Sequence, residues 1–130
     1  MEQLTIAMEQ YLETVHALCA GDSGCRVSDI AAQLGVSKSS VNSAMNVLAA
    51  KGLIENQKYR EVHLTKQGAE LARLLSRKHA ILHCLFTKVA GVDPKIADRD
   101  ACAIEHVISN ETVQRIGAFL TAQNIAIPEE

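Results

Sequence analysis

Between Asp98 and Ser109 the chain reads Asp-Arg-Asp-Ala-Cys-Ala-Ile-Glu-His-Val-Ile-Ser. Taken as a helix, this stretch carries Asp98, Cys102, Glu105 and His106 on one side, because residues three and four apart stack along the axis. Carboxylate, thiolate and imidazole converging on one volume can hold a divalent transition metal, and the soft sulfur turns the preference away from magnesium and calcium. The same spacing also suits a half-buried helix in which Cys102 is a small apolar filler. Two further segments offer residues of this type: His79 and His83 are four apart, and Gln10 and Glu13 are three apart. Each pair taken alone is more often a solvated helix face than a site.

The elements that must position these groups are mostly helical. Nearly half the residues are apolar (48%), yet only two Phe, two Tyr and no Trp are present, so an aliphatic core of packed helices is expected. Two prolines and seven glycines leave few interruptions. Apolar periodicity predicts a first helix over 4–19, through Leu4, Ala7, Met8, Tyr11, Leu12, Val15 and Leu18. Ser28 is placed to cap a short second helix, Gly35 to end it, and Ser37 to cap a third over 38–51. Two helices joined by so short a glycine-containing turn make a helix-turn-helix. The β-type runs 52–56 and 62–65 then flank a charged turn, which predicts the hairpin of a winged helix. Thr65 caps a long helix over 66–89, Pro94 opens the helix over 94–109, and a last helix runs over 110–124. The fold class expected is therefore mostly α: a winged helix-turn-helix over 1–74, then a helical domain over 75–130.

Charge divides along the same lines. Residues 26–78 carry a net +5 and the remainder −7, within an overall −2. The middle can meet a polyanion that the ends repel. The exposed side of the third helix offers Lys38, Ser39, Asn42, Ser43 and Asn46, short hydrogen-bonding side chains suited to phosphates and base edges in a major groove. Asn42 and Asn46 suit adenine. Arg26, Ser37 and Ser40 complete the candidate DNA contacts on the helix-turn-helix, with Lys58 and Arg60 at the wing tip. His63 reads as a strand surface residue. Nothing resembles an export signal or a membrane span, so a cytoplasmic protein with its four cysteines as thiols is expected.

With these residues in hand, the chain resembles the diphtheria-toxin-repressor family of metal-dependent transcriptional repressors, which includes iron-dependent and manganese-transport regulators. The likeness runs from about Met8 to Leu120. It is carried by Tyr11-Leu12-Glu13-Thr14, by Arg26-Val27-Ser28-Asp29-Ile30-Ala31 and by Leu34-Gly35-Val36-Ser37-Lys38-Ser39-Ser40-Val41. It continues through Lys51-Gly52-Leu53-Ile54, Leu64-Thr65-Lys66-Gln67-Gly68 and Ile104-Glu105-His106-Val107-Ile108-Ser109. It implies a homodimer of winged helices joined by a helical metal-binding and dimerisation domain, acting on double-stranded operator DNA with neither a membrane nor a small-molecule substrate as partner. Family ligands fall on Gln10, Glu13, His79, Cys102, Glu105 and His106.

The chain also departs from the family pattern. Gln10 stands where iron-type members have methionine and manganese-type members aspartate, while Cys102 matches the iron type. His83 replaces an acid and Asp98 a histidine of the iron type's second site, so both join the candidate ligands. A set this rich in nitrogen and sulfur points first to iron(II), then manganese(II), and accommodates zinc, cobalt or nickel. Glu61 stands where the family usually has a wing-tip glycine. The chain is expected to lack the SH3-like domain of longer members.

Two other function classes compete. One is a winged-helix regulator that senses thiol oxidation at Cys102 in place of metal. The other is a metal-dependent hydrolase, which needs an open coordination position beside a general base. No His-Glu-x-x-His or nucleophile motif supports the hydrolase, so no enzyme is expected.

Overall fold

In the computed structural model, which describes residues 4–19, 24–56 and 61–128, helix α1 (Ile6–Leu18) starts where the Thr5 hydroxyl accepts the Met8 amide at 3.2 Å. The chain divides into two units, Met1–Arg73 and Leu74–Glu130.

In the first unit, α1 buries Leu12 and Val15 completely. Helix α2 (Val27–Leu34) ends at Gly35, whose φ of +67° lies in the left-handed region that a Cβ disfavours. The Ser37 hydroxyl then accepts the Ser40 amide at 3.1 Å and starts α3 (Lys38–Ala50), completing the predicted helix-turn-helix. Val41, Ala44, Met45 and Leu48 on α3 join Ile30 of α2 in an aliphatic core. Strands β1 (Ile54–Asn56) and β2 (Val62–Leu64) pair antiparallel, with Ile54 opposite Leu64 and Asn56 opposite Val62. The wing tip, 57–60, with Lys58 and Arg60, lies outside the described residues.

Two sequence expectations are corrected in this unit. Ser28 does not cap α2: the helix already begins at Val27, behind an extended Arg26 that makes no side-chain cap bond. The reason is tertiary. Cys25 exchanges both backbone hydrogen bonds with Val62, at 3.0 and 2.7 Å, as a third strand-like rung beside the hairpin, and this holds the chain extended up to Arg26. Cys19 and Cys25 are also not separate thiols. The end of α1 and this rung come together with a Cα separation of 5.1 Å, and the sulfurs form a disulfide. Reduction, or Cys25→Ser, is expected to lower stability by about 2 kcal/mol, the loop-closure entropy of so short a ring. Thermal unfolding with and without reductant measures it.

Helix α4 (Lys66–Cys84) is capped as expected: the Thr65 hydroxyl accepts the Gly68 amide at 3.1 Å and donates to the Gly52 carbonyl at 2.7 Å. In the second unit, Ile81 and Cys84 of α4 pack with Val113 and Leu120 of α6 (Asn110–Ala122). The helix predicted over 66–89 does reach Val89, though not as one regular helix, and the helix predicted over 94–109 is too long. After Cys84 the chain widens into a π-helical turn, Leu85–Val89, where the Thr87 hydroxyl donates to the His83 carbonyl at 2.8 Å and competes with the regular ladder. Helix α5 covers Pro94–Ile104 rather than 94–109. Residues 105–108 form a turn, because Ser109 must be extended to cap α6, accepting the Thr112 amide at 3.1 Å. No helix among the described residues is long and apolar enough to cross a membrane.

Candidate metal centre and nucleic-acid face

His79 is the hub of the second unit's polar cluster. Its Nδ1 lies 3.0 Å from Glu105 Oε2 and its Nε2 2.9 Å from Asp98 Oδ1. The Cys102 sulfur is 3.7 Å from Nδ1. Asp98 and Cys102 stand one turn apart on α5, so the helix presents both to the same ring. One nitrogen, one oxygen and one sulfur from His79, Asp98 and Cys102 all lie within 4.8 Å of one another, close enough to share an ion. Glu105 is 1% exposed, and its second oxygen is 3.4 Å from His106 Nε2. The His83 ring stacks alongside His79 with centroids 6.1 Å apart, and its Nε2 lies 3.3 Å from the Pro94 carbonyl. Gln10 and Glu13 sit one turn apart on α1 in the first unit, Gln10 exposed and Glu13 half-buried.

Two carboxylates on one imidazole make a niche for positive charge. The hydrogen bond that His79 donates to Glu105 leads, opposed by burial and helped by Asp98, and His79 is raised from its ordinary 6.5 to about 8. The donor set therefore fits a divalent cation: the niche already favours a cation, and oxygen, nitrogen and sulfur surround it. In metal-free protein, the His79 resonances should titrate near pH 8 in an NMR titration. A raised pKa means the folded chain holds this proton more tightly. The stabilisation is thus complete below about 6.5 and is lost as pH rises through about 8. Because an ion must displace that proton, metal affinity should climb as pH rises towards about 8.

On the first unit, Arg26, Ser37, Lys38, Ser39, Ser40, Asn42, Ser43 and Asn46 are all exposed. Ser37 and Ser40 also serve the cap of α3, with Ser37 Oγ donating to Ser40 Oγ at 2.9 Å. Beyond the wing tip, Glu61 lies 3.8 Å from His63 across the strand end. Sequence reasoning missed two participants. Lys78 donates to the Ile108 carbonyl at 3.1 Å and so clasps the turn that carries Glu105 and His106. Asn56, on the wing, donates to Asn46 on α3. Neither contact has a local signal, being 30 and 10 residues apart in sequence.

A winged helix-turn-helix followed by a helical unit with this donor cluster defines a metal-responsive DNA-binding regulator. The chain belongs to the iron-dependent repressor family: its DNA-binding domain model matches residues 3–62, and its metal-binding and dimerisation domain model matches residues 65–124. The chain is similar to the HTH-type transcriptional regulator MntR of Listeria monocytogenes, with 36% identity over 113 residues, 87% of this chain and 79% of the relative. Among solved structures it resembles the manganese regulator SloR at 26% identity and a TM-score of 0.76, covering 94% of this chain and 59% of that one. It also resembles ScaR with bound Zn2+, at 25% identity and a TM-score of 0.78, covering 94% and 59%.

The protein is thus a metal-dependent transcriptional repressor, a DNA-binding, dimeric regulator that binds divalent metal and is not an enzyme. The alternative of a thiol-oxidation sensor at Cys102 in place of metal finds no support. The C-terminal match is to a metal-binding domain, and the Cys102 sulfur belongs to the His79 cluster.

Proposed function

We propose that this chain closes on operator DNA when a divalent ion, iron(II) first, joins Gln10 and Glu13 to His79, Cys102, Glu105 and His106, with Asp98 and His83 beside them. The observation that carries the reading is His79, held by Asp98 and Glu105 with the Cys102 sulfur within reach. Bound there, the ion acts as a co-repressor by ordering rather than by chemistry. Gln10 and Glu13 lie on the helix that precedes the helix-turn-helix, and the remaining ligands lie in the half matched to dimerisation. Residues 1–74 are the DNA-binding domain in this reading and 75–130 the metal-binding and dimerisation domain.

Two α3 helices of a homodimer must sit about 34 Å apart to enter successive major grooves. Sharing ligands between the halves narrows the separations the two α3 helices sample. Arg26, Ser37, Lys38, Ser39, Ser40, Asn42, Ser43 and Asn46 then meet the groove, with Lys58 and Arg60 on phosphates. Linkage makes the effect reciprocal: operator raises metal affinity by the factor that metal raises operator affinity. The setting is the cytoplasm.

Iron(II) is favoured by the thiolate of Cys102 and by the neutral amide of Gln10. Manganese(II) is the second reading, favoured by the likeness to a manganese regulator. Anaerobic fluorescence anisotropy on DNA from the chain's own upstream region, at fixed salt, separates them. Binding absent in chelator should appear with metal, and at lower concentrations of iron(II) than of manganese(II) or zinc(II). The reverse order of iron and manganese selects the second reading, and equal binding in chelator removes the metal switch.

A further inference from the structure

We infer that Asn56, on the wing strand β1, sets the base specificity of Asn46 on α3 by fixing which way its carboxamide faces. Asn56 Nδ2 donates to Asn46 Oδ1 at 3.4 Å, while Asn46 itself is exposed on the same side of α3 as Asn42 and Ser43. An asparagine that reads adenine uses both amide atoms, accepting from N6 and donating to N7. With its oxygen turned towards Asn56, Asn46 presents its NH2 to the groove. An amine held towards the groove suits the base edge richest in acceptors, guanine with O6 and N7, and is unsuited to cytosine, whose major-groove edge offers the N4 amine. The adenine preference read from sequence for Asn46 is therefore replaced by guanine at one position of each half-site.

The geometry supports a positioning role for Asn56. It is the last described residue of β1, with its backbone opposite Val62, and its place on the sheet is held by the Ile54–Leu64 pairing two residues away. The donor is thus mounted on a structured strand and the acceptor on a helix packed through Met45 and Leu48. A wing residue acts on base choice through a helix residue without itself touching a base.

The inference rests on α3 being the groove-reading helix, and the test separates the two. Metal-loaded full-length native protein, Asn46→Ala, Asn56→Ala and Asn56→Asp are each used to select duplexes from a randomised library, and the selected pools are sequenced. Native protein should show one half-site position preferring guanine over cytosine by about tenfold, the size of one or two lost hydrogen bonds. That preference should vanish at the same position in Asn46→Ala and relax in Asn56→Ala. Asn56→Asp should invert it, because an aspartate can only accept: the Asn46 amine turns inward to it and the oxygen faces the groove, favouring cytosine. A purely structural role for Asn56 would lower affinity evenly and leave every base preference in place, which would overturn the inference. Unchanged preferences in Asn46→Ala would overturn it too, while leaving α3 as the reading helix. Native protein that selects no sequence would overturn both.

Discussion

Alanine at position 79 should abolish the metal dependence of operator binding while leaving a folded dimer. His79 is the side chain that contacts Glu105, Asp98 and Cys102 together, at 3.0, 2.9 and 3.7 Å. Removing it takes away a nitrogen donor and leaves two carboxylates facing a gap. Loss of groups that only orient a ligand costs about 10- to 100-fold in metal affinity, so loss of the hub should cost about 100-fold or more. Chelator-competition titration measures the affinity, anisotropy measures the operator response, and sedimentation with circular dichroism verifies the folded dimer. Because His79 is part-exposed and stands apart from the buried Ile81, Val113 and Leu120 cluster, the fold should survive. Glu13→Gln should weaken the operator response in the same assay by removing a carboxylate from the proposed ligand set. A variant that binds operator like the native protein at the same metal concentration would remove that residue from the ligand set.

Gly68→Ala should cost about 3–4 kcal/mol and with it operator binding. In an exposed helix interior this substitution gains up to ~1 kcal/mol from propensity. Here the sign reverses, because a Cβ on Gly68 would overlap the Leu53 carbonyl oxygen and lie 2.9 Å from its carbon. Those atoms are backbone, fixed by the Thr65 amide donating to the Leu53 carbonyl at 3.1 Å, and cannot rotate aside as a flexible side chain would. The start of α4 would have to part from the segment that leads into β1, disturbing Leu53, Ile54 and the Thr65 cap together. Such backbone collisions are among the few single changes that reach this size. Chemical denaturation of Gly68→Ala beside native protein tests it. Equal or greater stability in the variant would show that the junction has room.

Much of this molecule is written locally. Gly35 and Ser37 specify the helix-turn-helix because a left-handed C-cap and a hydroxyl N-cap depend on residues no more than four apart, and the structure shows both. The period of Leu12, Val15, Val41, Met45 and Leu48 determined which faces are buried for the same reason. The placement of Asp98 and Cys102 on one face of a helix likewise followed from 3.6 residues per turn.

What the sequence could not determine is what those faces meet. That the ring of His79 lies between Asp98 and Glu105, 19 and 26 residues away, is decided by how α4 and α5 pack. So is the disulfide: nothing in the spacing of Cys19 and Cys25 distinguishes it from two thiols until the rung of Cys25 on Val62 brings them within 5.1 Å. The same rung keeps Ser28 from capping α2, and Thr87 bonding to the His83 carbonyl ends the regular part of α4 early. Local signals select a conformation for each segment through its own dihedrals and caps, at about a kcal/mol each. Which side chains then share a volume is settled by burial and close contact between segments distant in the chain, and those energies exist only once the segments have met.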